Sequence, residues 1–178
     1  MRGPCLSRVL ALLLLTGVAA GVRAGESCTD FHWDVSKERA VFATSPTPLT
    51  AGMDAKSAPA LEVDHLVRVK LVPVSKVTYA VQPGRGVPND GGHAGLLHFK
   101  VPADGEYRIS LEVPVWVDVV QDGALRTPTD YQGQHDCPSP HKIVVWDLKG
   151  RSSLVIQVSA TTADTLLLAV TRAPPRVR

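Results

Sequence analysis

The sequence predicts an all-β protein: a single antiparallel β-sandwich, jelly-roll-like in strand order, that follows a cleaved export signal. Apolar residues beyond position 25 alternate with polar residues at a period of two, as in strands with one buried face. In the stretch 106–113 this alternation predicts that Arg108 and Ser110 face solvent. The residues predicted to face inward are Val67, Val69, Leu71, Leu97, Phe99, Val101, Tyr107, Ile109, Leu111, Val113, Leu154, Ile156, Val158, Leu166, Leu168 and Val170. Glycine and proline, 14 of each in 178 residues, interrupt the stretches that could otherwise form long helices. Asp-Gly and Lys-Gly pairs, which favour tight turns, separate the alternating stretches. A closed barrel is the alternative architecture.

The N-terminus has the pattern of a secretory signal peptide. Arg2 and Arg8 are positive, Val9 to Ala20 is a Leu-rich apolar stretch of twelve residues, and Val22 and Ala24 supply a β-branched and a small residue at the −3 and −1 sites of a cleavage point. This order predicts cleavage after Ala24. The apolar stretch is shorter than the about 20 residues that a membrane-spanning helix needs. We therefore expect a periplasmic or secreted protein with no membrane span in its mature chain.

Charge and length limit the classes of partner. The full chain has 19 Lys and Arg and 17 Asp and Glu. Three arginines and no acidic residue are lost with the signal peptide, so the mature chain has 16 basic and 17 acidic residues and a formal charge of −1. A near-neutral surface without a basic cluster argues against nucleic acid as a partner.

The length of the mature chain fits one domain. The signal peptide is expected at residues 1–24, the sandwich domain over 25–173, and a frayed tail at residues 174–178.

Two cysteines remain after cleavage, because Cys5 leaves with the signal. Cys28 and Cys137 are expected to form a disulfide in an oxidising compartment. Such a bridge would close a loop of about 110 residues, for which chain entropy gives on the order of 4–5 kcal/mol. Two free thiols, or a cysteine metal ligand, are the alternative.

Eight strands are predicted, each bounded by turn residues. They lie near 66–73, 76–82, 95–101, 106–113, 115–120, 142–148, 153–159 and 165–172. A ninth strand near 37–43, or a short helix over 36–43, is expected. Two longer loops, 83–94 and 125–141, are candidate positions for binding residues, since loops on a rigid scaffold often carry them.

Histidines in the second loop suggest a metal site. His135, Cys137 and His141 form a His-x-Cys-x3-His pattern, and with His93 or His98 they could bind copper or zinc. If Cys137 is oxidised, it cannot act as a thiolate ligand, and the histidines are then ordinary loop residues. We find no nucleophile elbow or phosphate-binding loop, so no catalytic residue is nominated.

The three tryptophans are candidates for a sugar-binding surface. A pyranose ring stacks on an exposed aromatic ring while polar groups orient its hydroxyls. Trp116 shares its strand face with Asp118, which makes this pair the first choice, with Tyr131 as an assisting residue from the loop. In the alternative interpretation Trp33, Trp116 and Trp146 all fill the core.

The segment from Phe99 to Gly123 resembles known secreted domains. FKVPADGEYRISL followed by VWVDVVQDG is similar to the strand pairs of pre-peptidase C-terminal domains and jelly-roll carbohydrate-binding modules, and the likeness extends over residues 95–172. The resemblance implies a non-enzymatic binding or accessory protein outside the cytoplasm. Its partner would be a protein, a glycan or a surface polymer, and no cofactor is implied.

The whole mature chain also resembles a group of small exported proteobacterial proteins without an established activity. The motifs are WDVSKERA, WVDVV and PHKIV after Cys137, and some of these proteins carry the name homogentisate 1,2-dioxygenase. That name implies an iron held by two histidines and one glutamate. His32 and Glu38 have a His-x5-Glu spacing, and His65 would be the third ligand. A metal-dependent enzyme, or a periplasmic protein that binds Cu, Zn or Fe, is therefore the alternative function.

Overall fold

The computed structural model describes residues 31–85, 91–134 and 139–174. The predicted signal peptide, Cys28, His135, Cys137 and residues 175–178 lie outside these ranges.

The described chain contains one short helix and twelve strands. The helix α1 covers Ser36–Phe42, and a single 3₁₀ turn covers Val74–Lys76. The strands are β1 Thr47–Thr50, β2 Ala60–Leu61, β3 Leu66–Lys70, β4 Val72–Pro73, β5 His93–Phe99, β6 Gly105–Leu111, β7 Val117–Gln121, β8 Ala124–Arg126, β9 Asp130–Gly133, β10 Lys142–Leu148, β11 Leu154–Thr161 and β12 Thr165–Arg172. Among the described residues, no helix is long and apolar enough to cross a membrane.

The strands form two sheets packed face to face. The first sheet has the order β1-β3-β12-β6-β10-β9, and the second has β2-β5-β11-β7-β8 with β4 beside β5. In the central part, β3-β12-β6-β10 faces β5-β11-β7-β8, and most connections cross from one sheet to the other. This interleaved order is that of a jelly roll, so the predicted sandwich is confirmed.

The inner faces of both sheets supply the main core. Its largest members, Trp146, Tyr107 and Phe99, are almost completely buried. The polar atoms of the two larger rings have hydrogen-bond partners. Trp146 Nε1 donates to the Arg126 carbonyl at 3.0 Å, and the Tyr107 hydroxyl donates to the Ala103 carbonyl at 2.9 Å. The rows predicted to face inward on β3, β5, β6, β11 and β12 all belong to this core, as period-two alternation requires.

Strand pairing differs from the prediction at the sheet edges. β1 pairs with β3 in parallel, and β2 pairs with β5 in parallel. Both edge strands arrive through crossovers rather than hairpins, so the sheets are mixed and not purely antiparallel. The four short strands β1, β2, β8 and β9 were not predicted, and β9 places Tyr131 in a sheet and not in a loop.

The predicted strand at 76–82 is wrong. After the 3₁₀ turn this segment is extended but joins no sheet ladder. Val77, Tyr79 and Val81 pack instead on the outer face of the second sheet. The amide side chain of Gln157 accepts a hydrogen bond from the Val81 N–H at 3.0 Å and donates one to the Val81 carbonyl at 3.1 Å. Alternating burial therefore arose from packing on a sheet surface, without strand pairing.

The outer face of the first sheet is also covered, which corrects the expected solvent exposure of Arg108 and Ser110. Both residues are buried, because α1 and the segment before it lie over β6, β10 and β12. Here Arg108 Nη1 lies 3.2 Å from Glu38 Oε2, and Thr171 donates to Glu38 Oε1 at 2.6 Å. At 36–43 the helix, and not the ninth strand, is the element that forms.

Candidate functional site

An exposed tryptophan marks one end of the sandwich. Trp116 lies in the β6–β7 connection and is 38% exposed, whereas Trp146 is buried in the core. Trp33 packs on Ile143 and Val145 under the N-terminal segment. The interpretation in which all three tryptophans fill the core therefore fails for Trp116.

Asp118 holds the indole and a neighbouring loop in place. Trp116 Nε1 donates to Asp118 Oδ1 at 3.0 Å, and the Gly84 N–H donates to Asp118 Oδ2 at 3.1 Å. A Cβ on residue 84 would lie 3.0 Å from Asp118 Oδ1, so glycine permits this close approach. The pair predicted from the sequence is thus in contact, and Asp118 joins the indole of Trp116 to the backbone of Gly84.

Two cations flank the ring. Arg85 Cζ lies 5.8 Å and Lys142 Nζ lies 5.7 Å from the ring centroid of Trp116, both at cation–π distance. Lys142 also donates to the Val115 carbonyl at 2.9 Å. Burial lowers the pKa of Lys142, Arg85 lowers it further, and Asp118 opposes these effects. The surface is therefore an aromatic ring with an excess of positive charge. We call Trp116, Asp118, Arg85 and Lys142 the Trp116 cluster.

Tyr131 lies beside this cluster on β9 and is 70% exposed. It pairs with Val144, and Gly133 pairs with Lys142. Tyr131 and Lys142 are therefore diagonal neighbours on the same face of the first sheet, with a typical separation of about 7–8 Å. The three predicted ligand-binding residues thus lie at one end of the molecule. Arg85 and Lys142 were missed, because nothing in their local sequence distinguishes them from other surface cations.

The predicted metal-binding histidines are not brought together in the described part of the chain. His93 and His98 are five positions apart on β5, so they point to opposite faces, about 16 Å apart along the strand. His98 Nε2 lies 2.6 Å from the Ala55 carbonyl. No group of three or more His, Cys, Asp or Glu among residues 31–85, 91–134 and 139–174 could hold a metal ion. The set that includes His135 and His141 stays a prediction, because His135 lies outside these ranges.

The three residues implied by the dioxygenase resemblance have separate partners. Glu38 is fully buried against Arg108. His32 Nε2 lies 3.2 Å from Asp130 Oδ2, and His65 Nδ1 lies 3.6 Å from a carboxylate oxygen of Glu62.

Comparison with known proteins gives a likeness of structure and none of sequence family. No family model matches this chain, and no curated protein matches it. Among solved structures, the chain is similar to the pre-peptidase C-terminal domain of a collagenase from Bacillus anthracis, with a TM-score of 0.39 and 14% sequence identity. The match covers 64% of this chain and 93% of that domain. The fold assignment depends on the strand order described above and takes nothing from this likeness.

Proposed function

We propose that this protein is an exported, non-enzymatic binding module that holds an acidic surface glycan at the Trp116 cluster. The observation that carries the proposal is the position of Arg85 and Lys142, each within 6 Å of the centre of a partly exposed indole ring. A polymer of uronic acids presents both groups that such a surface recognises, namely carboxylates for the cations and apolar sugar faces for aromatic rings.

Fixed geometry favours such binding. Asp118 holds Trp116 by one hydrogen bond, and Lys142 is anchored to the Val115 carbonyl, so neither side chain loses much freedom on binding. The exposed ring of Tyr131 offers a second aromatic contact.

The test is a titration of the purified exported protein with polygalacturonate, using neutral dextran as the uncharged control. We expect binding of polygalacturonate that weakens as salt is raised, because surface charges are screened, and a tenfold or greater loss of affinity for Lys142→Met. Lys149→Met is the matched control, since Lys149 lies at the opposite end and is bonded to Asp104. Equal affinity of Lys142→Met and wild type, or equal binding of dextran, would refute the proposal.

Two further measurements on the same sample test export and the alternative function. We expect the N-terminal residue of protein from the periplasmic fraction to be Gly25, since cleavage is predicted after Ala24. Near-stoichiometric iron, copper or zinc that is lost in His141→Ala would replace the glycan proposal with a metal-dependent function.

A further inference from the structure

A groove lies at the end of the sandwich opposite the Trp116 cluster. It has a volume of about 610 Å³ and is bounded by β2, the end of β5 and the turn between β10 and β11. Its floor is formed by the buried core residues Leu61, Phe99 and Leu154, and its accessible apolar wall by Ala60, which is exposed, and Val63, which is half-buried. The groove thus has an apolar wall at Ala60 and Val63 and a volume typical of small-molecule sites.

Two exposed cations line the rim of this groove. Lys100 and Arg151 are exposed and, among the described residues, form no ion pair. They also line an adjoining hollow of about 470 Å³. Glu62 is the carboxylate that lines the groove, and it lies beside His65. The local charge therefore favours an anion at this rim.

The backbone of Arg151 is in an unfavourable conformation. Its φ is +63°, in the left-handed region that suits glycine and is costly for an arginine. The glycine of this turn stands one position earlier, where a Cβ would lie 3.0 Å from Ala103 Cα. Gly150 is thus needed for close packing, and the strained position is occupied by a cation. Strain of this kind concentrates at functional sites.

We propose that this groove binds a small amphipathic carboxylate, with its apolar part against Ala60 and Val63, above the core floor, and its carboxylate between Lys100 and Arg151. The site is separate from the Trp116 cluster, and the inference does not depend on the glycan proposal. Ser152 lines the same rim and supplies a hydroxyl that can donate to the anion.

Calorimetric titration of the exported protein with decanoate tests this inference, with decan-1-ol as the uncharged probe of equal chain length. We expect decanoate to bind at least tenfold more tightly than decan-1-ol, and Arg151→Gln and Lys100→Gln each to weaken decanoate binding at least fivefold. Arg126→Gln, an exposed arginine on β8, should bind as the wild type does. Equal affinities for decanoate and decan-1-ol, or unchanged binding by Arg151→Gln, would overturn the inference.

Arg151→Gly separates binding from folding. Because glycine suits the left-handed backbone, we expect this variant to melt at the same or a higher temperature than wild type while it loses decanoate affinity. A variant that keeps wild-type affinity would contradict the role of Arg151. Lys142→Met should retain decanoate binding, so failure at the Trp116 cluster is distinguishable from failure at the groove.

Discussion

Glu38 and Arg108 form a buried ion pair beneath α1, and this pair connects the N-terminal segment to the first sheet. Arg108 Nη1 also donates to the Asp34 carbonyl at 2.7 Å, and its guanidinium lies 5.4 Å from the ring centroid of Trp33. Removing one member of such a pair leaves an uncompensated charge in a poorly solvated site.

We expect Glu38→Gln to lower the free energy of unfolding by about 3 kcal/mol, because it strands the Arg108 charge. Urea denaturation at neutral pH would measure the change. Glu62→Gln is the control, since Glu62 is exposed and its loss should change stability by less than about 0.5 kcal/mol. Coinciding unfolding curves for Glu38→Gln and wild type would show that the pair contributes nothing.

Residue-level prediction from the sequence succeeded where the relevant contact is local. Trp116 and Asp118 are two positions apart, so strand alternation alone placed them on one face. Arg108 was predicted to be exposed, because alternation identifies the two faces of a strand but not a distant segment that covers one of them. Arg85 and Lys142 join the Trp116 cluster through the fold, from segments far apart in the sequence.

At the scale of elements, β5 packs against the segment after β1 at unusually close range. A Cβ on residue 95 would lie 2.3 Å from Ala51 Cβ, and Gly52 pairs with Leu96 in an isolated antiparallel bridge. Glycine at 95 is therefore required for the approach of the two backbones.

We expect Gly95→Ala to destabilise the protein by about 1–3 kcal/mol through overpacking. Adding Ala51→Gly removes the opposing methyl group and should recover part of the loss, so the double variant is more stable than Gly95→Ala. Thermal melting of the two single variants and the double variant would test this register. Additive losses in the double variant would show that the residues are not opposed.

Asp104 connects the β5–β6 turn with the β10–β11 turn. It accepts a hydrogen bond from the Gly150 N–H at 2.9 Å and lies 3.2 Å from Lys149 Nζ, and these contacts, in that order, lower the pKa of Asp104. A carboxylate with a lowered folded-state pKa stabilises the fold above its unfolded-state pKa of about 4, and this contribution disappears as pH falls through the folded-state value.

Asp104→Asn should therefore lower the melting temperature at pH 7, and the difference from wild type should shrink as the pH falls below about 4. Melting curves between pH 2.5 and 7 would show the trend. Asp147→Asn, an exposed carboxylate on β10, serves as the control and should have little effect at any pH. A difference between Asp104→Asn and wild type that is constant across this range would rule out the carboxylate as its cause.

The elements that alternation and turn residues predicted best are the long central strands. The bounds of β10 and β12 agree with the predicted 142–148 and 165–172. The strand at 76–82 failed, because an extended chain that packs on a sheet surface has the same period-two burial as a strand. The short edge strands were missed, because two to four residues are too few to establish a period.

At the scale of the whole molecule, the described N-terminus packs against β9. The His32 N–H donates to Gln132 Oε1 at 2.9 Å. Cys28 lies four residues before His32, and Cys137 lies five residues after Gln132. Because an extended chain spans up to about 3.3–3.6 Å per residue, both cysteines can reach a common point.

We expect Cys28 and Cys137 to be disulfide-bonded in the exported protein, and reduction to cost about 2–5 kcal/mol of stability. Alkylation followed by intact-mass measurement, with and without a reductant, counts the free thiols. Cys28→Ser/Cys137→Ser should melt at the temperature of the reduced wild type, which controls for effects of the reductant. Two alkylated cysteines in the native, unreduced protein would contradict the bridge.

The segment at 77–81 covers the outer face of the second sheet without joining its ladder, so it can detach locally while both sheets stay folded. Its amides can lose protection by a local lifting of the segment, whereas those of Ile109 and Ile156, in central strands, exchange only when the ladders break. Native-state hydrogen exchange in low denaturant should therefore show two classes of opening free energy. A protease that cuts near Tyr79 would therefore detach the segment at 77–81 and leave the two sheets of the jelly roll folded.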